Sequence, residues 1–432
     1  MLALHGGSPV VTESMIGAWP QVTDADRQAV LAAMDESTPW HWPMRVVQQL
    51  ERDWAGYTGA RHALAANSGT AALHMCIAAC DIGPGDEVLV PADTFLASAS
   101  CVLQVNAVPV FVDVDPVTYN IDPAQVEARI TERTRAIVAV DLNGLPADYD
   151  ALHAIARKHG LVVIEDGSQA HGATYHGRQV GALGDLAGCS LNGSKTLSAL
   201  SEGGLFTTDN DEWRENAARV LMFGDEIKGK KREYNARMMG WNYRIHSLAA
   251  AFAGSQLSRL AEMTRIRQEN GAYLSEALAG VPGIRTPVVP DDRTHVYFFY
   301  PMMVDAAAMG FPEHSDETVR RALKVALRAE GVPVDEWQPQ PIPGQTLFQE
   351  RRGYGKGCPW TCGPSPSRVQ YHSSDYPVAE DICRRRLVLG GSVAGFGPPN
   401  GRDLMQRFGE AFRKVVVEHR SELAVLVKEE AG

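Results

Sequence analysis

Lys195 sits in the stretch Ala187–Phe206, AGCSLNGSKTLSALSEGGLF, where small polar residues separate two apolar runs. The runs Ala187–Leu191 and Leu205–Thr208 read as buried strands, with Gly203-Gly204 turning the chain into the second. An ammonium group between buried strands needs a partner or a task. One task open to a lysine amine is Schiff-base formation with a carbonyl compound. Taken alone the stretch reads as a surface loop carrying one lysine, so the elements around it must decide.

Those elements alternate. Short apolar strands are predicted at His62–Ala66, Asp86–Val90, Ala107–Asp113, Thr134–Val140 and Leu161–Glu165, with helices at Ala71–Cys80, Leu96–Leu103, Pro123–Ile130 and Asp148–His159 between them. Continuously apolar strands alternating with helices predict an α/β fold whose mainly parallel sheet is covered on both faces. In such sheets ligand groups gather at the carboxyl ends of the strands. Ser68, Gly69 and Thr70 follow the first strand, Thr94 and Phe95 the second, Asp166 follows Leu161–Glu165, and Lys195 follows Ala187–Leu191. All are thereby brought to one edge of the sheet.

A polar, glycine-containing turn that opens a helix offers free N–H groups and the positive dipole end to a phosphate. An anion seat, an aromatic plate, a carboxylate and a lysine on one edge meet the needs of pyridoxal phosphate. Ser68–Thr70 would hold the phosphate, with help from Ser190 or Asn192, and Phe95 would cover one ring face. Asp166 would pair with the pyridinium nitrogen and keep the ring an electron sink, and Lys195 would be the Schiff-base amine. Singly, Ser68 and Asp166 read as helix caps and Phe95 as core; their shared placement at strand ends favours the cofactor.

The run Glu165-Asp166-Gly167-Ser168-Gln169-Ala170-His171-Gly172-Ala173, followed by Gly181 to Asp185, Ser190, Lys195 and Glu202-Gly203-Gly204, resembles the central signature of the DegT/StrS-type aminotransferases. Residues 18–260 follow that family almost continuously. The resemblance implies a fold-type I pyridoxal phosphate transferase acting on keto sugars or keto cyclitols. It implies catalytic roles for Lys195 and Asp166, and cofactor contacts from Ser68, Gly69, Thr70, Phe95, Gln169, Ser190 and Asn192. Gln169 matches a position near the cofactor's 3-hydroxyl side, and His171 in the same motif reads equally as a packed core residue. Met238–Ala250, MMGWNYRIHSLAA, is similar to the family segment that crosses to the neighbouring subunit. That implies Asn242 as a phosphate ligand in the neighbour's site, and a homodimer with shared active sites; the segment also reads as a helix start capped by Asn242.

The chain departs from the family where Ser247 or His246 replaces a usual acid, and at Arg219–Gly224, where Met222 and Phe223 replace polar groups of the sugar-nucleotide members. Leu387–Gly395 is closer to the cyclitol and aminobenzoate branches. The implied reaction is a transamination in two halves, in aminoglycoside-like antibiotic biosynthesis. Glutamine or glutamate donates nitrogen, Lys195 moves a proton as base and acid, and a keto cyclitol or keto sugar accepts the nitrogen. The alternatives are a non-transaminating reaction on the same scaffold (elimination, cyclisation or C–C bond formation), a sugar dehydratase, and a regulator without activity. Lys195 disfavours the dehydratase, which carries histidine there, and intact Lys195 and Asp166 disfavour the regulator.

The 432 residues divide into an N-terminal arm (1–20), a large cofactor-binding domain (21–260) and a smaller α+β C-terminal domain (261–432) ending in one long helix, Arg402–Lys428. The formal charge of 41 − 52 = −11 argues against general nucleic-acid binding, and Lys228–Arg232 (KGKKR) reads as a solvated loop. Seven cysteines at irregular spacing predict reduced thiols in a cytoplasmic protein. Cys358-Pro-Trp-Thr-Cys362 lacks the second ligand pair of a zinc site, so no metal is expected. No apolar run approaches the ~20 residues of a membrane-spanning helix. Pro339–Pro377 is an irregular segment long enough to be functional, with Trp337, Gln338, Tyr371 and His372 as candidate substrate contacts.

Overall fold

The computed structural model describes residues 1–35, 44–228, 231–363, 366–391 and 395–431. Its main sheet has seven strands: β1 (His62–Ala66), β2 (Glu87–Pro91), β3 (Val108–Val112), β4 (Thr134–Val140), β5 (Val162–Asp166), β8 (Leu186–Ser190) and β9 (Gly204–Thr208). A short hairpin, β6 (Thr174–Tyr175) with β7 (Arg178–Gln179), lies between β5 and β8 in sequence. The sheet order is β1-β9-β8-β5-β4-β2-β3. Strands β3, β2, β4, β5 and β8 pair in parallel, whereas β9 is antiparallel to both β8 and β1. The reversal follows from the connection. Residues 191–203 contain no helix, the element that usually carries a chain across to a parallel neighbour. Every residue of β2 and β3 is buried, as expected of strands covered on both faces.

After the main sheet the chain forms a hairpin, β10 (Asp225–Lys228) with β11 (Lys231–Ala236), in the basic stretch read as a loop; Gly229 and Lys230 lie outside the described residues. A second, antiparallel sheet of order β12-β13-β15-β14 follows: β12 (Ile284–Arg285), β13 (Phe299–Val304), β14 (Val334–Asp335) and β15 (Arg386–Gly390). It packs with the helices Leu260–Leu278, Asp316–Ala329 and Arg402–Arg413 around a core that includes Tyr300, Leu323, Leu387 and Phe408. Of Leu387–Gly395, residues 392–394 lie outside the described residues.

Three expectations are corrected. The arm is not merely extended: Leu2 and Val11 are buried in the second core, and the buried carboxylate of Glu330 accepts from Ala3 N (2.8 Å) and Val10 N (3.2 Å). The terminal helix is broken. Arg402–Arg413 gives way to a π-helical turn at Lys414–Glu418, and His419 leaves helical dihedrals before Arg420–Ala431 resumes. Consecutive β-branched Val415, Val416 and Val417 fill the turn, two of them buried, where a widened helix seats them. Finally, Cys358 and Cys362 are joined by a disulfide instead of standing as thiols. A turn closed by Thr361 N and Gly357 O (3.0 Å) brings their Cα atoms to 5.3 Å.

Candidate active site

The helix Gly69–Ala79 opens immediately after β1, and Ser68 caps it by accepting from Ala71 N at 3.1 Å. The N–H groups of Gly69 and Thr70, the first in the helix, have no intrahelical acceptor. Glycine is required here by close approach. A Cβ on Gly69 would lie 2.5 Å from Ser190 Cβ, and one on Gly204 would lie 2.2 Å from Ser68 O. The two glycines let the helix opening close onto the ends of β8 and β9, which brings Ser190 beside Ser68–Thr70. Ser190 is fixed by its N–H bond to Ser168 Oγ (3.1 Å) and itself accepts from Asn192 N (3.2 Å).

Two neighbouring carboxyls at the end of β5 point to opposite faces of the strand. Asp166 is buried; its Oδ2 accepts from Ser98 Oγ (2.7 Å) and its Oδ1 from Ser168 N (3.2 Å). Ser98 is in turn held by Thr94 Oγ1 at 2.9 Å. Glu165 accepts from the backbone N–H groups of Gly181, Leu183 and Gly184. Beside it lies Asp141, fully buried, bonded through Oδ1 to Ala147 N and Tyr149 OH at 2.9 Å each. Burial, with Glu165 second, pushes the Asp141 carboxyl well above its ordinary range and favours its neutral form. Gln169 is buried at the same edge, but its Oε1 accepts from Asn143 N (2.7 Å), so it also fixes the loop after β4.

Lys195 is half-buried in the connection from β8 to β9. Its backbone N–H donates to Asn192 O (2.8 Å), and its carbonyl accepts from the indole N–H of Trp19 at 3.1 Å, so the arm reaches the site. Its Nζ lies 4.4 Å from the centroid of the Phe298 ring. Burial pulls the lysine down to about 8, with Asp166 and then Glu202 opposing the shift. His171 is buried beneath this loop, with Nδ1 3.2 Å from Thr196 Oγ1 and its ring against Trp54. Burial, reinforced by the charge of Lys195, holds His171 down at about 3, so it is a neutral buttress. The Asn192 side chain is already engaged: Oδ1 accepts from Ser194 N and Oγ, and Nδ2 donates to Glu202 Oε1 at 2.7 Å. It ties the lysine loop together at its base.

Phe95 stands at the same edge with 54% of its surface exposed. Next to it Asp93 and Arg386 form a fully buried ion pair that joins β15 to the end of β2, with Arg386 Nη2 3.0 Å from Asp93 Oδ1. Trp337 covers that guanidinium at 4.9 Å, and Gln338 Nε2 donates to Thr94 O at 3.1 Å, so both lie at the site's rim. Tyr371 does not: it is buried, its hydroxyl donating to Pro109 O (2.8 Å) and its ring packing against Phe111 and Phe348. His372, the next residue, is exposed. In the single chain Asn242 is exposed, accepts from Arg244 Nε at 2.8 Å, and lies beside Asn67, one residue before Ser68. Met222 is buried and bridges to Asn242, while the following Phe223 is 39% exposed. Sequence reasoning missed Phe298, Trp19 and the Asp93–Arg386 pair. Among the described residues no group of three His, Cys, Asp or Glu side chains is arranged to hold a metal, and no helix is long and apolar enough to cross a membrane.

A helix opening closed by glycine contacts, a buried carboxyl on a strand end and an amine of lowered pKa fit a phosphorylated aldehyde with a basic ring nitrogen, which is pyridoxal phosphate. Seven strands with one reversed neighbour, and this edge, define the chain as a fold-type I pyridoxal phosphate-dependent aminotransferase. It belongs to the DegT/DnrJ/EryC1/StrS aminotransferase family, whose model matches residues 21–393. One relative, the pleiotropic regulatory protein of Geobacillus stearothermophilus, is 38% identical over 313 residues, 72% of this chain and 79% of its own. Another, the L-glutamine:2-deoxy-scyllo-inosose aminotransferase of Streptomyces fradiae, is 36% identical over 404 residues, 90% of this chain and 92% of its own. The crystal structure of 3-amino-5-hydroxybenzoic acid synthase superposes with a TM-score of 0.81 at 29% identity, over 93% of this chain and 99% of that one.

Proposed function

We propose that this aminotransferase takes its amino group from glutamine or glutamate and delivers it to a ketone on a cyclic polyol, a keto cyclitol in preference to a keto sugar, in aminoglycoside-like antibiotic biosynthesis. The observation that carries the reading of the site is the half-buried amine of Lys195, pulled down to about 8, on the edge shared by Asp166 and the Ser68–Thr70 opening. For the acceptor, support comes from the 90% of this chain that aligns with a relative named for 2-deoxy-scyllo-inosose. The apolar Met222–Phe223 pair favours a small acceptor over one carrying a nucleotide.

In this reading the cofactor, when bound, supplies the electron sink that makes a Cα–H bond acidic. Ser68, Gly69, Thr70 and Ser190 hold its phosphate, Asp166 meets its ring nitrogen with Ser98 and Ser168 fixing the carboxyl, and Gln169 lines the same edge. Phe95 shields one ring face, and Asn192 keeps the lysine loop in shape. Lys195 would hold the cofactor through its amine and, once free, would take and return the proton at the substrate carbon. Its lowered pKa leaves about a tenth of the amine neutral at pH 7, far more than an ordinary lysine keeps, and a base needs that form. The chain divides into the arm 1–20, a large domain 21–260 and a small domain 261–432. It acts as a homodimer in which Asn242 completes the partner's phosphate site; the exposed Phe223, Tyr234 and Met239 supply apolar surface for that contact.

Purified protein is expected to carry a chromophore that borohydride fixes on Lys195, and glutamine alone should convert it to pyridoxamine phosphate. A cofactor that stays unchanged with glutamine and glutamate refutes transamination. Keto cyclitols assayed against nucleotide-linked keto sugars then decide the acceptor.

A further inference from the structure

The first residue of the second sheet's approach to the lysine is Phe298, immediately before β13, and its position is set by backbone on both sides. Its N–H lies 3.1 Å from where a Cβ on Gly144 would stand, and its carbonyl accepts from Gly391 N at 2.7 Å. A Cβ on Gly390 would fall 2.6 Å from that carbonyl. The side chain is 4% exposed and packs against the Phe299 ring at 4.5 Å. Phe298 is therefore a ring held rigidly, with one face turned to Lys195 Nζ at 4.4 Å.

We propose that Phe298 is a positioning residue for Lys195, its ring face being the berth the ammonium occupies whenever the amine is not bonded to the cofactor. The inference rests on the reading of Lys195 as the amine that carries the cofactor. An amine displaced by the donor must stay within reach of the carbon whose proton it moves, and it must hold a proton for part of the cycle. A neutral aromatic face does both: it attracts the ammonium without forming the close ion pair that would lock the charge in place. The titratable groups around Lys195 are Asp166, Glu202 and His171. Asp166 is engaged by two donors, Glu202 by Asn192, and His171 is neutral. Among the described residues, the Phe298 face is the contact made by Nζ itself.

The test reads the lysine directly, without turnover. Full-length protein loaded with pyridoxamine phosphate, in which Lys195 is a free amine, is labelled with limiting acetic anhydride across a pH series, and the Lys195 peptide is quantified by mass spectrometry. Wild type and Phe298→Tyr should label with the same midpoint. Phe298→Leu should label with a midpoint lower by about one pH unit, and so about tenfold more heavily on the acid side. Phe298→Met carries the same expectation if the leucine variant does not fold. An unchanged midpoint in the aliphatic variants overturns the proposal, as does a tyrosine variant that shifts as far as they do. Borohydride trapping on wild type separates the two readings: cofactor fixed elsewhere than on Lys195 refutes the site assignment, whereas the labelling midpoint still reports the ring contact.

Discussion

Replacing Gly69 by alanine probes the phosphate seat with a single methyl group. Carbon atoms in contact sit about 3.5–4.0 Å apart, and the new Cβ would start 2.5 Å from Ser190 Cβ and 2.8 Å from its Cα. The helix opening and the end of β8 must therefore separate by about 1 Å. Neither side gives easily, since Ser190 pairs with Gly204 across β9 and its N–H is held by Ser168. Overpacking of this kind costs about 1–3 kcal/mol of stability. The larger effect falls on the cofactor: a 1 Å displacement of the Gly69 and Thr70 N–H groups forfeits about one charge-assisted hydrogen bond, roughly 1.5–3 kcal/mol or 10- to 100-fold in Kd. Pyridoxal phosphate titration by absorbance, alongside thermal unfolding, measures both. Adding Ser190→Gly removes the Cβ contact and should recover part of the stability loss, a coupling of about 0.5–3 kcal/mol in a double-mutant cycle read by unfolding, while cofactor binding stays weak because Ser190 itself faces the phosphate. Gly56, in an open stretch of the helix Arg45–Thr58, is the control, because nothing stands within 4 Å of its Cβ position. Gly56→Ala should leave cofactor binding alone and stabilise the fold by up to about 1 kcal/mol. A Gly69→Ala protein that binds the cofactor within twofold of wild type and unfolds at the same temperature refutes the seat.

Other outcomes follow from the same geometry. The single-turnover rate with glutamine should fall by about tenfold per pH unit below about 8, because Lys195 must shed its proton to act as base; a flat rate across that range contradicts the assignment. Asp166→Asn keeps an acceptor for Ser98, so cofactor should still bind while the half-reaction slows by about 100-fold or more, read by stopped-flow absorbance. Arg386→Met leaves the Asp93 carboxyl buried without its partner and should cost about 3–5 kcal/mol in denaturant unfolding. Glu51, pushed up to about 7 by burial against its bond from Ala65 N, binds more protons folded than unfolded. Stability should therefore decline as pH rises from the ordinary 4.5 through about 7, and Glu51→Gln should remove that slope and add about 1 kcal/mol at pH 8, seen in melting curves.

Strand ends were the legible part of this chain. Continuous apolar runs mark β2 and β3 as doubly covered, and one geometric rule for parallel sheets then brings Ser68, Phe95, Asp166 and Lys195 to a common edge. Contacts made at long sequence distance were not legible. Nothing local to Trp19 or Phe298 distinguishes them from packing residues, and their place at Lys195 is decided by how the arm and the second sheet dock. Tyr371 carries the same apolar, hydroxyl-tipped side chain as a substrate contact, yet Pro109 and Phe111 hold it in the core. Asn192 looked like an anion ligand because its amide suits one; the neighbouring Ser194 and Glu202 claim it first. The Cys358–Cys362 bond escaped prediction because spacing alone does not reveal a turn that brings two Cα atoms together.

The seat of the N-terminal arm bears on how the protein is made. Leu2 N–H bonds to Glu422, and Ala3 and Val10 bond to Glu330, so the arm waits for partners synthesised hundreds of codons later. Trp19, which steadies the carbonyl of Lys195, is carried on that arm. A nascent chain can complete β1 through β9 and expose the phosphate opening while its lysine loop still lacks this anchor. Anchoring of the Lys195 loop is thereby tied to synthesis of the helices that carry Glu330 and Glu422, and a change that loosens the arm acts on that loop from a distance.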